Sequence, residues 1–149
     1  MTPSQVNKNY SVGRRNYYLA AYIVAEALLK LIERSRGATI SPTPIELAKL
    51  LGLDDALYRR GGVGLIVQSI LREVERLYPA QVRIGRRGRN KVFLDAARLR
   101  SMPREELVKV LIGVIEDYGR RTRKLPRNVS AADVIRELAR KYGNGVMKP

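Results

Sequence analysis

Between Tyr17 and Arg34 the apolar residues Tyr18, Tyr22, Ala25, Leu29 and Ile32 recur at steps of three and four, the spacing that lines up side chains on one face of an α-helix. "RSRGATISP" breaks that pattern at Gly37. "TPIELAKLLG" then predicts a short helix. Thr43 stands as N-cap, Pro44 takes the first helical position, Glu46 completes a capping box, and Gly52 occupies the place of a C-terminal cap. "LDDALYRRGGVG" is irregular and glycine-rich. "LIVQSILREVERLYP" returns to helical spacing, with Val67, Ile70, Leu71, Val74 and Leu77 as its buried stripe and Pro79 as its stop. The period then changes to two. In "QVRIGRRGRNKVFLD", Val82, Ile84, Val92 and Leu94 alternate with other residues around Gly85, Gly88 and Asn90, the pattern of a β-hairpin. Helical spacing resumes over Pro103 to Arg121, with Leu107, Val110, Leu111, Val114 and Tyr118 on one stripe. In "NVSAADVIRELARKYG" Ser130 is the N-cap, Asp133 sits in the capping-box position, and Val129 and Val134 are placed as a hydrophobic staple.

These elements predict a mainly α chain with a small β-hairpin, an α+β class. The 149 residues are 45% hydrophobic, enough to bury a core. The expected division is a basic, extended N-terminal arm over 1–16, a first domain over 17–100 and a C-terminal helical extension over 101–149. The apolar stripe of the 103–121 helix suits either packing back on the first domain or a homodimer interface.

Charge changes the picture most. There are 29 basic residues against 14 acidic ones, a net charge of +15, which points to a polyanionic partner, most often nucleic acid. Five arginines or lysines crowd the hairpin, and five more, with no acid, occupy "GRRTRKLPR". No run of about 18 apolar residues is present and the first residues are polar, so neither a membrane span nor a signal peptide is expected, and the expected location is cytoplasmic and nucleoid-associated. Cysteine and histidine are absent, which removes disulfides, thiolate chemistry and the commonest metal ligand and general base. No enzyme activity, cofactor or metal is therefore expected. A tyrosine nucleophile with arginine clamps at Tyr58, Arg59 and Arg60, or a metal pair at Asp54 and Asp55, has no companion base to complete it.

Helix, short capped helix, turn, helix and basic hairpin is a familiar order. "ISPTPIELAKLLGL" resembles the first half of the helix-turn-helix in winged-helix regulators of archaeal type, with Ala48 where a small residue lets helices cross closely and Gly52 at the turn. "IVQSILREVERL" resembles a recognition helix, and "VRIGRRGRNKVFL" a wing. The resemblance spans Tyr17 to Asp95 and is one of fold pattern. It departs at "DDALYRRGG", which is longer than the family's tight turn.

The resemblance implies duplex DNA binding, as a transcription regulator or chromosome-associated protein. Gln68, Ser69, Arg72 and Arg76 then form the outer stripe of the reading helix, with Arg72 foremost for a base edge. The bland alternative is that Arg72 with Glu75 and Glu73 with Arg76 make ordinary surface ion pairs. Arg86, Arg87, Arg89 and Lys91 of the wing are candidates for phosphate or the minor groove. Arg59 and Arg60 ahead of the helix, Arg14 and Arg15 of the arm, and Arg120, Arg121, Arg123 and Lys124 after the 103–121 helix are further candidate phosphate contacts. Two other readings stay open. One is a ribosomal or ribosome-associated protein that binds structured rRNA, since a basic winged helix also occurs there. The other is single-strand binding, with Tyr10 and Tyr17 near the basic arm as stacking platforms. The target sequence is not legible.

Overall fold

The computed structural model describes residues 12–54, 62–81 and 91–143. The hairpin tip, the residues carrying Tyr58, Arg59 and Arg60, and the first eleven residues lie outside this set.

The first helix, α1, runs in three continuous stretches: α-helical Val12–Ile23, a wider π-helical turn Val24–Leu28, and α-helical Leu29–Arg34. It therefore begins inside the stretch expected to be an extended arm, since Arg14, Arg15 and Asn16 already have helical backbone. The expected stripe of Tyr18, Tyr22, Ala25, Leu29 and Ile32 is buried, but so are Tyr17, Ala20, Ala21, Ile23, Val24, Ala27 and Leu28. A helix sheathed on every side is a core helix. α1 is packed by the helices Pro44–Leu50, Val63–Leu77, Arg104–Arg121 and Ala131–Tyr142. Its π turn buries Glu26, the first carboxylate of the chain.

After α1, β1 (Thr39–Ile40) leads to α2 (Pro44–Leu50). Its ends follow the sequence signals: the Thr43 hydroxyl accepts the Glu46 N–H at 3.2 Å, and Gly52 takes the left-handed conformation at φ +68° that glycine adopts without steric cost. α3 (Val63–Leu77) lies against α1 and α2. Its buried stripe is Val63, Ile66, Val67, Ile70, Leu71 and Val74. Leu77 does not join the stripe, being 44% exposed on the last turn.

The chain then crosses the sheet. Beyond α3, Pro79 bridges Leu94 in antiparallel fashion, with Ala80 N–H donating to Phe93 C=O at 3.0 Å and Asp95 N–H to Tyr78 C=O at 2.9 Å. On its other edge β2 (Leu94–Asp95) pairs antiparallel with β1, Ile40 opposite Leu94 and Thr39 opposite Asp95. The segment 93–95 is thus the middle of three, and Val92, Phe93, Leu94 and Asp95 are all buried. That burial on both faces replaces the half-exposed alternation expected of a simple hairpin.

Asp95 immediately caps a short helix that periodicity did not reveal, α4 (Ala96–Ser101), by accepting the Arg98 N–H at 3.0 Å. α4 returns the chain to the end of α1. There Arg100 donates to the carbonyl and hydroxyl of Ser35 at 3.0 and 2.7 Å and to the Gly37 carbonyl at 3.2 Å, closing a helix terminus whose carbonyls need donors.

α5 (Arg104–Arg121) and α6 (Ala131–Tyr142) pack back onto α1. Ser130 caps α6 by accepting the Asp133 N–H at 3.1 Å, and Val129 and Val134 are both buried, as the staple requires. Where α1 crosses α5, the Tyr17 hydroxyl donates to the Ile115 carbonyl at 2.8 Å and its ring stacks on Tyr118 with centroids 6.3 Å apart. Tyr22 stacks on Tyr142 at 5.5 Å, tying α6 to the same helix. Leu107 and Leu111 of the expected α5 stripe are wholly or almost wholly covered by this packing, Val114 is mostly covered, and Val110 and Tyr118 are half-buried at its edge.

Candidate nucleic-acid interface

The outward face of α3 carries the predicted stripe. Arg72 and Arg76 are exposed, and Gln68 and Ser69 are half-buried. The Ser69 hydroxyl donates to the Leu65 carbonyl at 2.9 Å, so its outward capacity is as an acceptor. Leu65 belongs on this stripe too, one turn before Ser69 and two before Arg72, and is 76% exposed. Sequence reading passed over it because an apolar residue at helical spacing is ordinarily assigned to the core. The signal was there in its phase, which matches Arg72 and Arg76.

α3 also carries two glutamates, and free carboxylates on a nucleic-acid interface repel phosphate. Both are turned to internal use. Glu75 accepts the Phe93 N–H at 2.7 Å and so fixes the strand next to the helix. Glu73 receives Arg76 at 3.1 Å and Arg121 of α5 at 2.7 Å. Burial works against ionisation of Glu73, but the hydrogen bonds from Arg121 and Arg76 outweigh it and hold its carboxyl below the usual carboxylate range. Glu73 raises the Arg121 guanidinium in return. Glu73 is thus held between two guanidiniums and neutralised within the protein. Of the two ion pairs set against the reading stripe, Glu73 with Arg76 is present.

The other candidates divide by what they touch. Arg120 reaches the Pro126 carbonyl and pairs with Glu116 at 3.4 Å; Arg121 adds Asp117 at 3.5 Å to its bond with Glu73. Arg120 holds the connector between α5 and α6, and Arg121 ties the end of α5 to α3. Glu116 strengthens the same joint by accepting the Ala131 N–H, at the start of α6, at 3.0 Å. Arg123 is exposed and Lys124 half-buried, and the side chains of both form no ion pair among the described residues. Arg127, which sequence reading did not single out as a contact, is exposed beside them. Arg15 is exposed on the first turns of α1, and Arg14 lies in the same turns.

At the sheet, Lys91 is exposed where the chain returns toward β2. Arg86, Arg87 and Arg89 lie outside the described residues, but the strands that flank them are held: the chain departs at Ala80 and re-enters at Phe93, two residues joined by a hydrogen bond. The Arg98 guanidinium lies 4.8 Å from the centre of the Tyr78 ring at the base of this pair. Arg59, Arg60 and Tyr10 also fall outside the described residues.

Tyr17 is not a stacking platform. It is fully buried, with its hydroxyl bonded inside, and burial pushes the phenol well above its ordinary pKa. The aromatic residue nearest the basic arm was a core residue because α1 starts earlier than its apolar periodicity indicated.

Among the described residues, no three or more carboxylates gather where they could hold a metal ion, and no helix is long and apolar enough to cross a membrane. No protein-family profile, curated protein or solved structure matches this chain.

Proposed function

We propose that the protein is a winged helix-turn-helix nucleic-acid-binding protein that engages duplex DNA, with α3 in the major groove and the basic hairpin beside it. A regulatory or chromosome-associated role in the cytoplasm follows from that reading. The observation that carries it is the disposition of α3: its polar stripe of Gln68, Ser69, Arg72 and Arg76 faces outward, and both of its glutamates are bound to other groups. The order of elements supports it as well. A helix, a first strand, two helices, and then Pro79 bridged to a second strand that pairs with the first are compatible with the order that the resemblance implies. Ala48, buried where α2 meets the core, and Gly52, with positive φ at the end of α2, fill the roles that the resemblance implies for them.

Groove readout by such a surface needs donors for base edges and cations for the backbone. Arg72 can approach guanine in bidentate fashion, Gln68 can pair with adenine, and exposed Leu65 offers an apolar contact to a thymine methyl. The wing arginines, Lys91, Arg15 and the connector residues supply counterion release, which sets affinity without sequence preference.

The test is an anisotropy titration against random duplex DNA, single-stranded DNA and a structured rRNA fragment at several salt concentrations. A steep salt dependence with duplex preferred is the expected result. Tighter binding to the structured RNA at matched salt would put the ribosomal reading in its place. A preference for the single strand would require aromatics other than Tyr17, Tyr18 and Tyr22, which are in the core.

A further inference from the structure

Among the described residues three helices end on a residue with left-handed backbone, and two of them use glycine: Gly52 after α2, at φ +68°, and Gly143 after α6, at φ +74°. The third is α5, and there the residue is Arg123, at φ +60°. Among the described residues it is the single non-glycine with positive φ. The hydrogen bonds are those of a Schellman ending, with Lys124 N–H donating to the Gly119 carbonyl at 2.9 Å and Arg123 N–H to the Arg120 carbonyl at 3.1 Å. Glycine fits such a position without the clash between Cβ and carbonyl that every L side chain meets there. An arginine in it is strained with no return from packing. Its side chain is exposed and forms no hydrogen bond or ion pair among the described residues.

The surroundings say what that side chain faces. Acids around the connector are already engaged: Glu73 and Asp117 by Arg121, Glu116 by Arg120 and the Ala131 N–H, and Asp133 by Arg136 at 3.3 Å. Arg123, Lys124 and Arg127 therefore remain as uncompensated charge on one short loop. The loop is also well placed. Arg121, two residues before Arg123, reaches across to Glu73 on α3, which directly follows Arg72 and pairs with Arg76 one turn on.

We infer that the connector between α5 and α6 is a phosphate-contacting site, with Arg123 as its main contact and Lys124 and Arg127 beside it, gripping the sugar-phosphate backbone alongside the groove that α3 enters. This rests on the duplex DNA reading above. The backbone strain at Arg123 is retained because a cation is needed at that point, where glycine would serve the fold better.

The experiment is Arg123→Gly in the full chain, read for thermal stability and for the salt dependence of binding to random duplex DNA. Arg136→Ala serves as the charge-matched control, since Arg136 is exposed on α6 but already paired with Asp133. The expected result is opposed changes. The melting midpoint rises by a few degrees, while the slope of log K against log salt becomes shallower by about 0.9, the contribution of one phosphate contact. Substituting Lys124 and Arg127 by Gln as well should extend the loss of slope to nearly three contacts. A higher midpoint with a slope equal to that of the control overturns the site and leaves Arg123 a tolerated cap. If that happens while Arg86, Arg87 and Arg89 still contribute to the slope, the duplex reading stands and only the connector site falls. A wild-type protein without salt-dependent duplex binding overturns both.

Discussion

α1 and α3 share a helical period and pack against each other, yet they play opposite parts. α1 is covered on all sides from Tyr17 to Leu29 apart from half-buried Leu19, with its basic residues confined to its ends. α3 buries one stripe and holds Gln68, Ser69, Arg72, Glu73, Glu75 and Arg76 along the other. The first is the post around which the fold is assembled, and the second presents chemistry from it. The lesson concerns charge within a helix. A helix with no charge in its middle apart from one buried glutamate can be surrounded, whereas one with polar residues at each turn must keep a face in water. Glutamates on that face are then compatible with a polyanion only where partners within the protein take them up.

The sharpest way to break the post without touching the presenting face is Gly119→Ala. A Cβ at Gly119 would stand 2.3 Å from the Tyr17 hydroxyl, 2.5 Å from its ring carbon and 2.8 Å from Leu125 Cβ, all in a filled core. Overpacking of this kind costs about 1–3 kcal/mol, so the melting midpoint should fall by several degrees, while duplex affinity well below the midpoint stays unchanged. A midpoint equal to wild type would mean that α1 and α5 can separate without cost.

Glu75→Ala tests whether α3 and the strand act as one unit. It leaves the Phe93 N–H without its 2.7 Å acceptor in a buried segment, a loss of about 1–3 kcal/mol for an unsatisfied donor. Both stability and duplex affinity should decline; calorimetry and anisotropy on the same variant separate the two. Loss of stability alone would show that the strand's position does not matter for binding.

On the presenting side, Arg72→Ala should cost about 1–3 kcal/mol at a preferred site and little on other sequences, with the melting curve unmoved. Equal losses on every duplex would make Arg72 a phosphate contact. The triple change of Arg86, Arg87 and Arg89 to Ala should instead weaken binding to all sequences alike and reduce the salt slope by about 2.7. An unchanged slope would remove the wing from the interface.

The smallest effect is expected at Glu73, and its sign can be stated. Its folded-state pKa lies below the usual 4.5, so the stabilisation from its two arginines is complete above that value and fades as pH falls through and below it. Glu73→Gln should flatten the stability profile on the acidic side of pH 4.5 and slightly strengthen duplex binding at neutral pH. A wild-type profile identical to that of the variant in this window would show that the Arg121 bridge contributes nothing measurable.

Much of this was legible in the residues. Thr43, Pro44 and Gly52 bounded α2 correctly because caps act within a few residues and depend on local chemistry alone. Ser130 and the Val129 and Val134 pair did the same for α6. Leu77 was misassigned because periodicity continues to the last turn of a helix whether or not a neighbour is there to cover it. α4 escaped notice because it is six residues long, too short for a period to register, and exists through the Asp95 cap and the Arg100 clamp on the end of α1. Of the candidate contacts, the outer stripe of α3 could be read from spacing, but the split within "GRRTRKLPR" could not. Nothing local distinguishes Arg120, which holds the connector, and Arg121, which ties α5 to α3, from Arg123, whose side chain forms no ion pair among the described residues.

By itself, then, the chain's order of residues determined its helical and strand segments, their caps and the excess of positive charge, because propensity, capping and net charge are local or additive properties. Tertiary structure alone decided which arginines are consumed as fasteners and which remain outward, because a guanidinium's role depends on the carboxylate or carbonyl that folding brings within reach. It also decided that Glu73 and Glu75 are withdrawn from the presenting face, since their partners, Arg121 and the Phe93 N–H, stand 48 and 18 residues away along the chain.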